Sequence, residues 1–227
     1  MDVATVNLRR IPIRPIFLFA DAGVSAGQVQ CVAQEIATIL DMVGVTLEIP
    51  IHRLGDWRMD DWREENGSLL PYRSLDWYIE VGARESREGQ FNIQPLMIKM
   101  ALEPWQEKEP HYDVVILSED IYEGDCRFLL GSTLPWLVTV VSTYRFFHDP
   151  NLKSKTAWDL LRTLVRHEVG HLFGLPNEGR TDDGTLTQSL GTHCTNTGCV
   201  MRQGLRVPKD WIMLLEETQR YQMIYCG

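Results

Sequence analysis

Two histidines four residues apart, with a glutamate beside the first, most restrict how this chain can fold. The pentapeptide HEVGH occupies positions 167–171 of a longer stretch, 156–174, with the sequence TAWDLLRTLVRHEVGHLFG. Residues four apart lie on one face of a helix, so both imidazoles can reach a single metal ion. Glu168 can then reach a water molecule at that ion. This is the arrangement of a zinc hydrolase.

Residues 156–174 have the apolar periodicity of a helix with one face in the core. Thr156 is the predicted N-cap, with Asp159 in the first turn, and Gly174 is predicted to end the helix. Glu168 would lie in this buried face, where an unpaired carboxylate is costly and a nearby cation is the usual compensation. The apolar positions at helical spacing are Leu160, Leu161, Leu164, Val165, Val169 and Leu172.

Composition limits the class of protein and its partners. The chain has 227 residues, of which 44% are hydrophobic and 23% charged, which is ordinary for a globular protein. Its net charge of −9 argues against a nucleic-acid partner held by phosphate attraction. Pro12 and Pro15 interrupt the first apolar run, so no secretory signal is expected, and no segment is apolar enough to span a bilayer. We therefore expect a cytoplasmic protein with no membrane partner; the sequence predicts no oligomeric state.

The order of the predicted elements indicates an α/β fold. A strand over 11–20, a helix over 27–42 and a strand over 45–51 form the strand–helix–strand opening of a parallel layer. After a less regular segment, 52–90, the predicted elements are a helix over 92–106, strands over 112–118, 127–132 and 136–143, and a closing helix over 208–225. We expect one domain over 1–227, with an upper α/β part (1–174) and a small lower part (175–227).

Several residues outside the helix carry weaker signals. Residues 178–192 are polar and glycine-containing and are predicted to form a loop. His52, His111 and His148 have no other potential metal ligand at a recognisable spacing in the sequence, and they are interpreted as ordinary histidines. Trp57 and Trp62 are expected to pack on the core, and the alternative is that they form an aromatic rim to a substrate cleft.

A catalytic zinc takes three protein ligands, and two histidines leave this set incomplete. The metzincin spacing would place the third ligand at position 177, which is occupied by Asn177. A later run contains His193 and Cys194, followed by Cys199 and Met201. An acidic third ligand is the alternative, as in zincins of the glutamate type; the candidates are Glu178, Asp182, Asp183 and Glu216.

The run His-Cys-x4-Cys-x-Met, following a His-Glu-x-x-His helix and a glycine turn, resembles the archaemetzincin family of the metzincin zinc metallopeptidases. Relative to that family, the chain carries an insertion after Gly174 that displaces the third ligand from position 177 to His193. The similarity reaches back to about Tyr112, through the segments SEDIY, FLLG and VSTYR. Residues 1–111 match only in general arrangement.

The resemblance implies a metzincin-like zincin with a mixed twisted sheet, an active-site helix and a small C-terminal subdomain closed by a helix. It implies that His167, His171 and His193 bind zinc, that Glu168 is the general base, and that Met201 forms the methionine turn beneath the three imidazoles. The implied substrate is a peptide or protein, and residues 128–132 would form the edge strand that aligns it.

Family members also carry a later Cys-x-x-Cys that joins the first cysteine pair around a second, structural zinc. Here Cys194 and Cys199 are followed only by Cys226, and three thiolates lack the closed four-ligand shell of a structural zinc site. We therefore expect one catalytic zinc and no stable second zinc at these cysteines.

A non-catalytic, metal-containing binding protein is the other interpretation of the same residues. In such a protein the metal would be structural or absent, and the cleft would bind a partner. The intact Glu168 counts against this interpretation, because a structural metal site needs no general base.

Overall fold

The computed structural model describes residues 14–42, 51–53, 75–176, 185–188, 191–221 and 225. The strands are β1 (Ile16–Ala20), β2 (Ile51–Arg53), β3 (Phe91–Asn92), β4 (Tyr112–Leu117), β5 (Ile121–Tyr122), β6 (Gly131–Leu134), β7 (Val138–Ser142), β8 (Thr185–Gln188) and β9 (Gly191–Cys194). The helices are α1 (Ala26–Met42), α2 (Leu75–Arg84), α3 (Ile93–Ala101), α4 (Pro104–Lys108), α5 (Tyr144–Phe147), α6 (Ser154–Leu172) and α7 (Lys209–Tyr221). Among these residues, no helix is long and apolar enough to cross a membrane.

A mixed sheet in the order β2-β1-β4-β7-β6 forms the centre of the fold. β1 pairs in parallel with β2 and with β4, and β4 pairs in parallel with β7. β6 runs antiparallel to β7 and, among the described residues, forms one edge of the sheet. The predicted α/β class with a mixed sheet is therefore confirmed, whereas the division into upper and lower parts stays a prediction.

Alternate residues of β4 point to opposite faces of the sheet, and both faces are covered. Val114 and Ile116 belong to a core cluster with residues of α1 and α6, and Val115 and Leu117 belong to a second cluster with residues of α2 and α3. All six residues of β4 are buried. The apolar run Val114–Leu117 within it is typical of a parallel strand with helices on both sides.

Helix α6 contains the HEVGH segment and packs between the sheet and α1. It begins at Ser154, after Lys153 as N-cap, and no side chain caps it, so the prediction of Thr156 as the N-cap is wrong. It ends as predicted: Gly174 has a φ of 76°, and the Leu175 amide donates to the Gly170 carbonyl at 2.9 Å. This left-handed turn, which glycine adopts without strain, reverses the chain after the helix.

Several elements differ from those predicted. The helix over 92–106 is two helices, because Glu103 precedes Pro104 and has an extended ψ of 147°. The strand over 127–132 is instead Gly131–Leu134, whose register with β7 runs from Gly131 opposite Val141 to Leu134 opposite Val138. Helix α2, within the irregular segment 52–90, was not predicted, and Trp57 and Trp62 lie outside the described residues.

The prediction of a loop over 178–192 is wrong for part of that segment. β8 and β9 form an antiparallel hairpin in which Leu186 lies opposite His193. Threonines at 185, 187 and 192 favour strand structure, although the hairpin lacks the apolar alternation that marks a strand in sequence. The hairpin places His193 on a strand rather than in an irregular loop.

His111, interpreted from the sequence as an ordinary histidine, belongs to a buried group with Glu103 and Asp113. It is fully buried, and its Nε2 lies 3.3 Å from Glu103 Oε1 and 3.5 Å from Asp113 Oδ1. Its Nδ1 lies 2.6 Å from the Glu109 carbonyl oxygen. Burial alone would lower the pKa of His111, but the hydrogen bonds to Asp113 and Glu103 outweigh this effect and raise the pKa to about 9.

We expect this buried group to make stability depend on pH in the alkaline range. Because the pKa of His111 is higher in the folded state, its contribution is fully present below pH 6.5 and is lost as pH rises through about 9. The loss in the free energy of unfolding is at most about 3 kcal/mol. Urea unfolding at a series of pH values measures it. His111→Gln should flatten the dependence, and an equally steep dependence in that variant would contradict this assignment.

Candidate metal centre

Three histidines from two distant segments converge at one point beside α6. One ring nitrogen of each of His167, His171 and His193 lies within 4.8 Å of the other two. The first two lie one turn apart on α6, and the third lies on β9. His167 and His193 are buried, and His171 is partly buried. The predicted ligand set is therefore brought together in space.

Backbone carbonyls fix the orientation of the two helical imidazoles. His167 Nδ1 lies 2.7 Å from the Val200 carbonyl oxygen, and His171 Nδ1 lies 2.8 Å from the Leu175 carbonyl oxygen. A carbonyl oxygen only accepts, so each Nδ1 donates, and in the neutral ring Nε2 carries a lone pair. A backbone hydrogen bond at the other ring nitrogen is typical of metal-binding histidines.

The separation of these nitrogens tests whether a zinc ion fits. The two Nε2 atoms of His167 and His171 lie 3.2 Å apart. A tetrahedral zinc ion with Zn–N bonds of about 2.0–2.1 Å separates neighbouring ligand atoms by roughly 3.3 Å. The spacing and the donor type both fit zinc.

Burial keeps the imidazoles of His167 and His171 neutral. It lowers the pKa of His167 well below its usual value, and the neighbouring His171 lowers it further. Burial and the nearby His193 lower the pKa of His171 to about 4. Neutral imidazole is the form that binds metal, so the site is ready for a cation at neutral pH.

Glu168 follows His167 near the C-terminal end of α6, and its side chain contacts the edge strand β6. Glu168 is 5% exposed, and Thr133 Oγ1 donates to Glu168 Oε2 at 2.8 Å. Burial raises the pKa of this carboxyl to about 7, although the hydrogen bond from Thr133 opposes the shift. A bound cation would favour the ionised form. A buried carboxylate of this kind is suited to accepting a proton.

Met201 packs against the ligand helix. Met201 is 1% exposed, and a Cβ atom added at Gly170 would overlap Met201 Sδ. The Cys194 amide donates to the Met201 carbonyl at 2.9 Å, which ties this turn to the strand that carries His193. The position suits a methionine beneath the imidazoles, and that role stays a prediction.

The structure places the other predicted residues as follows. Glu216, one of the acidic alternatives, is exposed on α7 and is not in the histidine group. Cys194 and Cys199 are both buried. The remaining candidates lie outside the described residues: Asn177, Glu178, Asp182, Asp183 and Cys226.

Sequence reasoning missed a second group of possible metal donors, formed by Glu103, His111 and Asp113. All three are buried. His111 and Asp113 are two residues apart at the start of β4, a spacing that places them on one side of a strand and could have suggested a shared environment. Glu103 comes from the turn between α3 and α4. Their mutual contacts resemble a buried ion-pair network, which needs such pairing to be tolerated in a core.

Comparison with known proteins extends these observations. No family model matches the chain. A curated protein named archaemetzincin, from Nanoarchaeum equitans, is 33% identical over 87 residues, which cover 38% of this chain and 36% of that protein. The matched region thus spans little more than a third of that relative.

Two solved archaemetzincin structures are similar over most of the chain. The one from Methanopyrus kandleri has a TM-score of 0.54 at 17% identity and covers 91% of this chain and 96% of its own. The one from Archaeoglobus fulgidus, complexed with malonate, has a TM-score of 0.52 at 20% identity, with 88% and 91% covered. The fold is therefore archaemetzincin-like, and the resemblance predicted from the sequence is confirmed.

Proposed function

We propose that this protein is a zinc-dependent peptidase whose zinc is held by His167, His171 and His193. The observation that carries the proposal is the convergence of three imidazole nitrogens within 4.8 Å, beside the buried carboxylate of Glu168. The archaemetzincin-like fold and the local similarity to an archaemetzincin support it. A peptide or protein substrate and a cytoplasmic location are parts of the same proposal.

The residues around the site divide the chemistry between them. Zinc, when bound, supplies a Lewis acid that makes water more acidic and polarises a peptide carbonyl. Glu168 accepts the proton of the attacking water and passes it to the leaving amine. The Nδ1 hydrogen bonds of His167 and His171 hold both rings in the ligand orientation.

Strand β6 offers a means of binding an extended substrate. Among the described residues it forms one edge of the sheet, and it contacts the carboxylate of Glu168 through Thr133. A peptide that adds to a sheet edge gains main-chain hydrogen bonds irrespective of its sequence. We therefore assign substrate alignment to Gly131–Leu134 rather than to 128–132, the range implied by the family resemblance.

Metal analysis combined with a peptide library tests the function. Protein purified without chelator should contain about one zinc per chain, and it should cleave members of a diverse peptide library. Chelation should abolish cleavage, and added zinc should restore it. Zinc-loaded protein that cleaves no peptide would favour the non-catalytic binding protein, and protein that binds no zinc would contradict the metal site itself.

A further inference from the structure

Two threonine hydroxyls form a chain that ends on the Glu168 carboxylate. Thr133 on β6 and Thr139 on β7 are directly opposite each other in the antiparallel register. Their Oγ1 atoms lie 2.6 Å apart, and Thr133 Oγ1 lies 2.8 Å from Glu168 Oε2. Thr139 is fully buried. These hydrogen bonds therefore connect the interior of the sheet to the edge strand and then to α6.

The direction of these hydrogen bonds follows from the number of protons. An ionised carboxylate only accepts, so Thr133 donates its one hydroxyl proton to Glu168 Oε2 at 2.8 Å, in preference to the more distant Glu168 carbonyl oxygen at 3.3 Å. The short contact between the hydroxyls then requires Thr139 to donate to Thr133. The other acceptor near Thr139, the Ser132 carbonyl oxygen, is more distant at 3.4 Å. Each hydroxyl thus has a defined role while Glu168 is ionised.

Gly131 contacts the other side of the same carboxylate. Residues 131 and 133 lie on one face of β6, because alternate residues of a strand share a face. A Cβ atom added at Gly131 would lie 2.6 Å from Glu168 Cδ and 2.7 Å from Oε1. The intervening Ser132 points elsewhere, and its hydroxyl donates to Glu123 Oε2 at 2.9 Å. Only a residue without a side chain permits the strand to approach the carboxylate so closely.

We infer that Thr133 is a positioning residue, which, with Thr139 behind it and Gly131 beside it, fixes the rotation of the Glu168 carboxylate. The Thr133 hydroxyl holds Oε2, and in this inference Oε1 is the oxygen that accepts the proton of water. Proton transfer depends on such alignment, because small misplacements of a reacting group cause large losses in rate. The inference rests on the proposed function, since only a general base needs this orientation.

Removing the Thr133 hydroxyl while keeping the shape of the side chain tests the inference. Thr133→Val should lower kcat by about 10- to 100-fold, the range for loss of a hydrogen bond to a charged group, with KM changed by less than about twofold. Thr133→Ser, which keeps a hydroxyl, should recover most of kcat. Thr163→Val is the matched control: Thr163 is a buried threonine of α6 whose hydroxyl donates to the Asp159 carbonyl, and its loss should leave kcat unchanged.

A spectroscopic measurement separates positioning from catalysis. The infrared carboxylate band of Glu168 can be isolated as the difference between the protein as purified and its Glu168→Gln variant. This band should shift in Thr133→Val and not in Thr133→Ser or Thr163→Val. An unchanged band would overturn the inference whatever the activity. A shifted band with an unchanged kcat would also overturn it, whereas a shifted band in a protein that cleaves no peptide would support the contact and contradict the proposed function.

Discussion

Replacing Glu168 by glutamine is expected to lower peptide hydrolysis by about 10³- to 10⁴-fold while zinc binding and the fold persist. General acid–base groups contribute about 10² to 10⁴ in rate, and one carboxylate here serves as both proton acceptor and proton donor, so the upper part of the range applies. Glutamine has nearly the same shape, and its carbonyl oxygen can still accept the Thr133 hydroxyl that contacts Glu168 Oε2. The variant therefore loses the base and keeps its surroundings.

Three measurements on the same preparations check this expectation. The kinetic constants kcat and KM report the chemistry, elemental analysis reports the zinc content, and circular dichroism reports the fold. Glu107→Gln, the same change at an exposed glutamate of α4, should have no effect on any of them. If Glu168→Gln retained full activity with zinc bound, the mechanism proposed for this residue would be wrong.

The part of the site that could be predicted from sequence is the part that depends on local spacing. His167, Glu168 and His171 fall on one helix, and the helical period alone brings the two imidazoles together. The end of that helix was also predictable, because Gly174 adopts a left-handed conformation that other residues rarely accept. The start was not, since no side chain caps the helix at Lys153.

The remaining part of the site depends on contacts between residues far apart in the chain. Thr133 and Glu168 are 35 positions apart, and no sequence period links them. Gly131 and Ser132 were assigned to a strand, but which of them faces α6 depends on the register with β7. His193 was found only because a neighbouring cysteine–methionine pattern resembled a known family. Most of the hairpin that carries it was predicted as a loop, because its strands lack the apolar alternation that marks a strand in sequence.

The sheet illustrates the same division between local and long-range information. β4 was predicted with almost correct bounds, because the apolar run Val114–Leu117 indicates a strand buried on both faces. The fully buried group of Glu103, His111 and Asp113 was missed, since burial of a charged group is decided by the partners that the fold supplies rather than by the residue type.

Replacing His193 by alanine is expected to weaken zinc binding by more than about 100-fold, since loss of a direct ligand should exceed the 10- to 100-fold effect typical of losing an outer-shell partner. Two imidazoles on α6 would remain, and they leave the three-ligand set of a catalytic zinc incomplete. The fold should persist, because the strand that carries His193 is also held by the hydrogen bond from the Cys194 amide to the Met201 carbonyl.

Competition with a chromophoric chelator measures the zinc affinity of each variant. Asn177→Ala is the control for the unshifted metzincin spacing and should keep the affinity of the original protein, because a neutral side-chain amide is a poor zinc ligand. Glu216→Gln is the control for an acidic third ligand; Glu216 is exposed on α7, so its loss should also leave the affinity unchanged. Retention of tight zinc binding by His193→Ala, together with its loss in either control, would transfer the third ligand from His193 to the other residue.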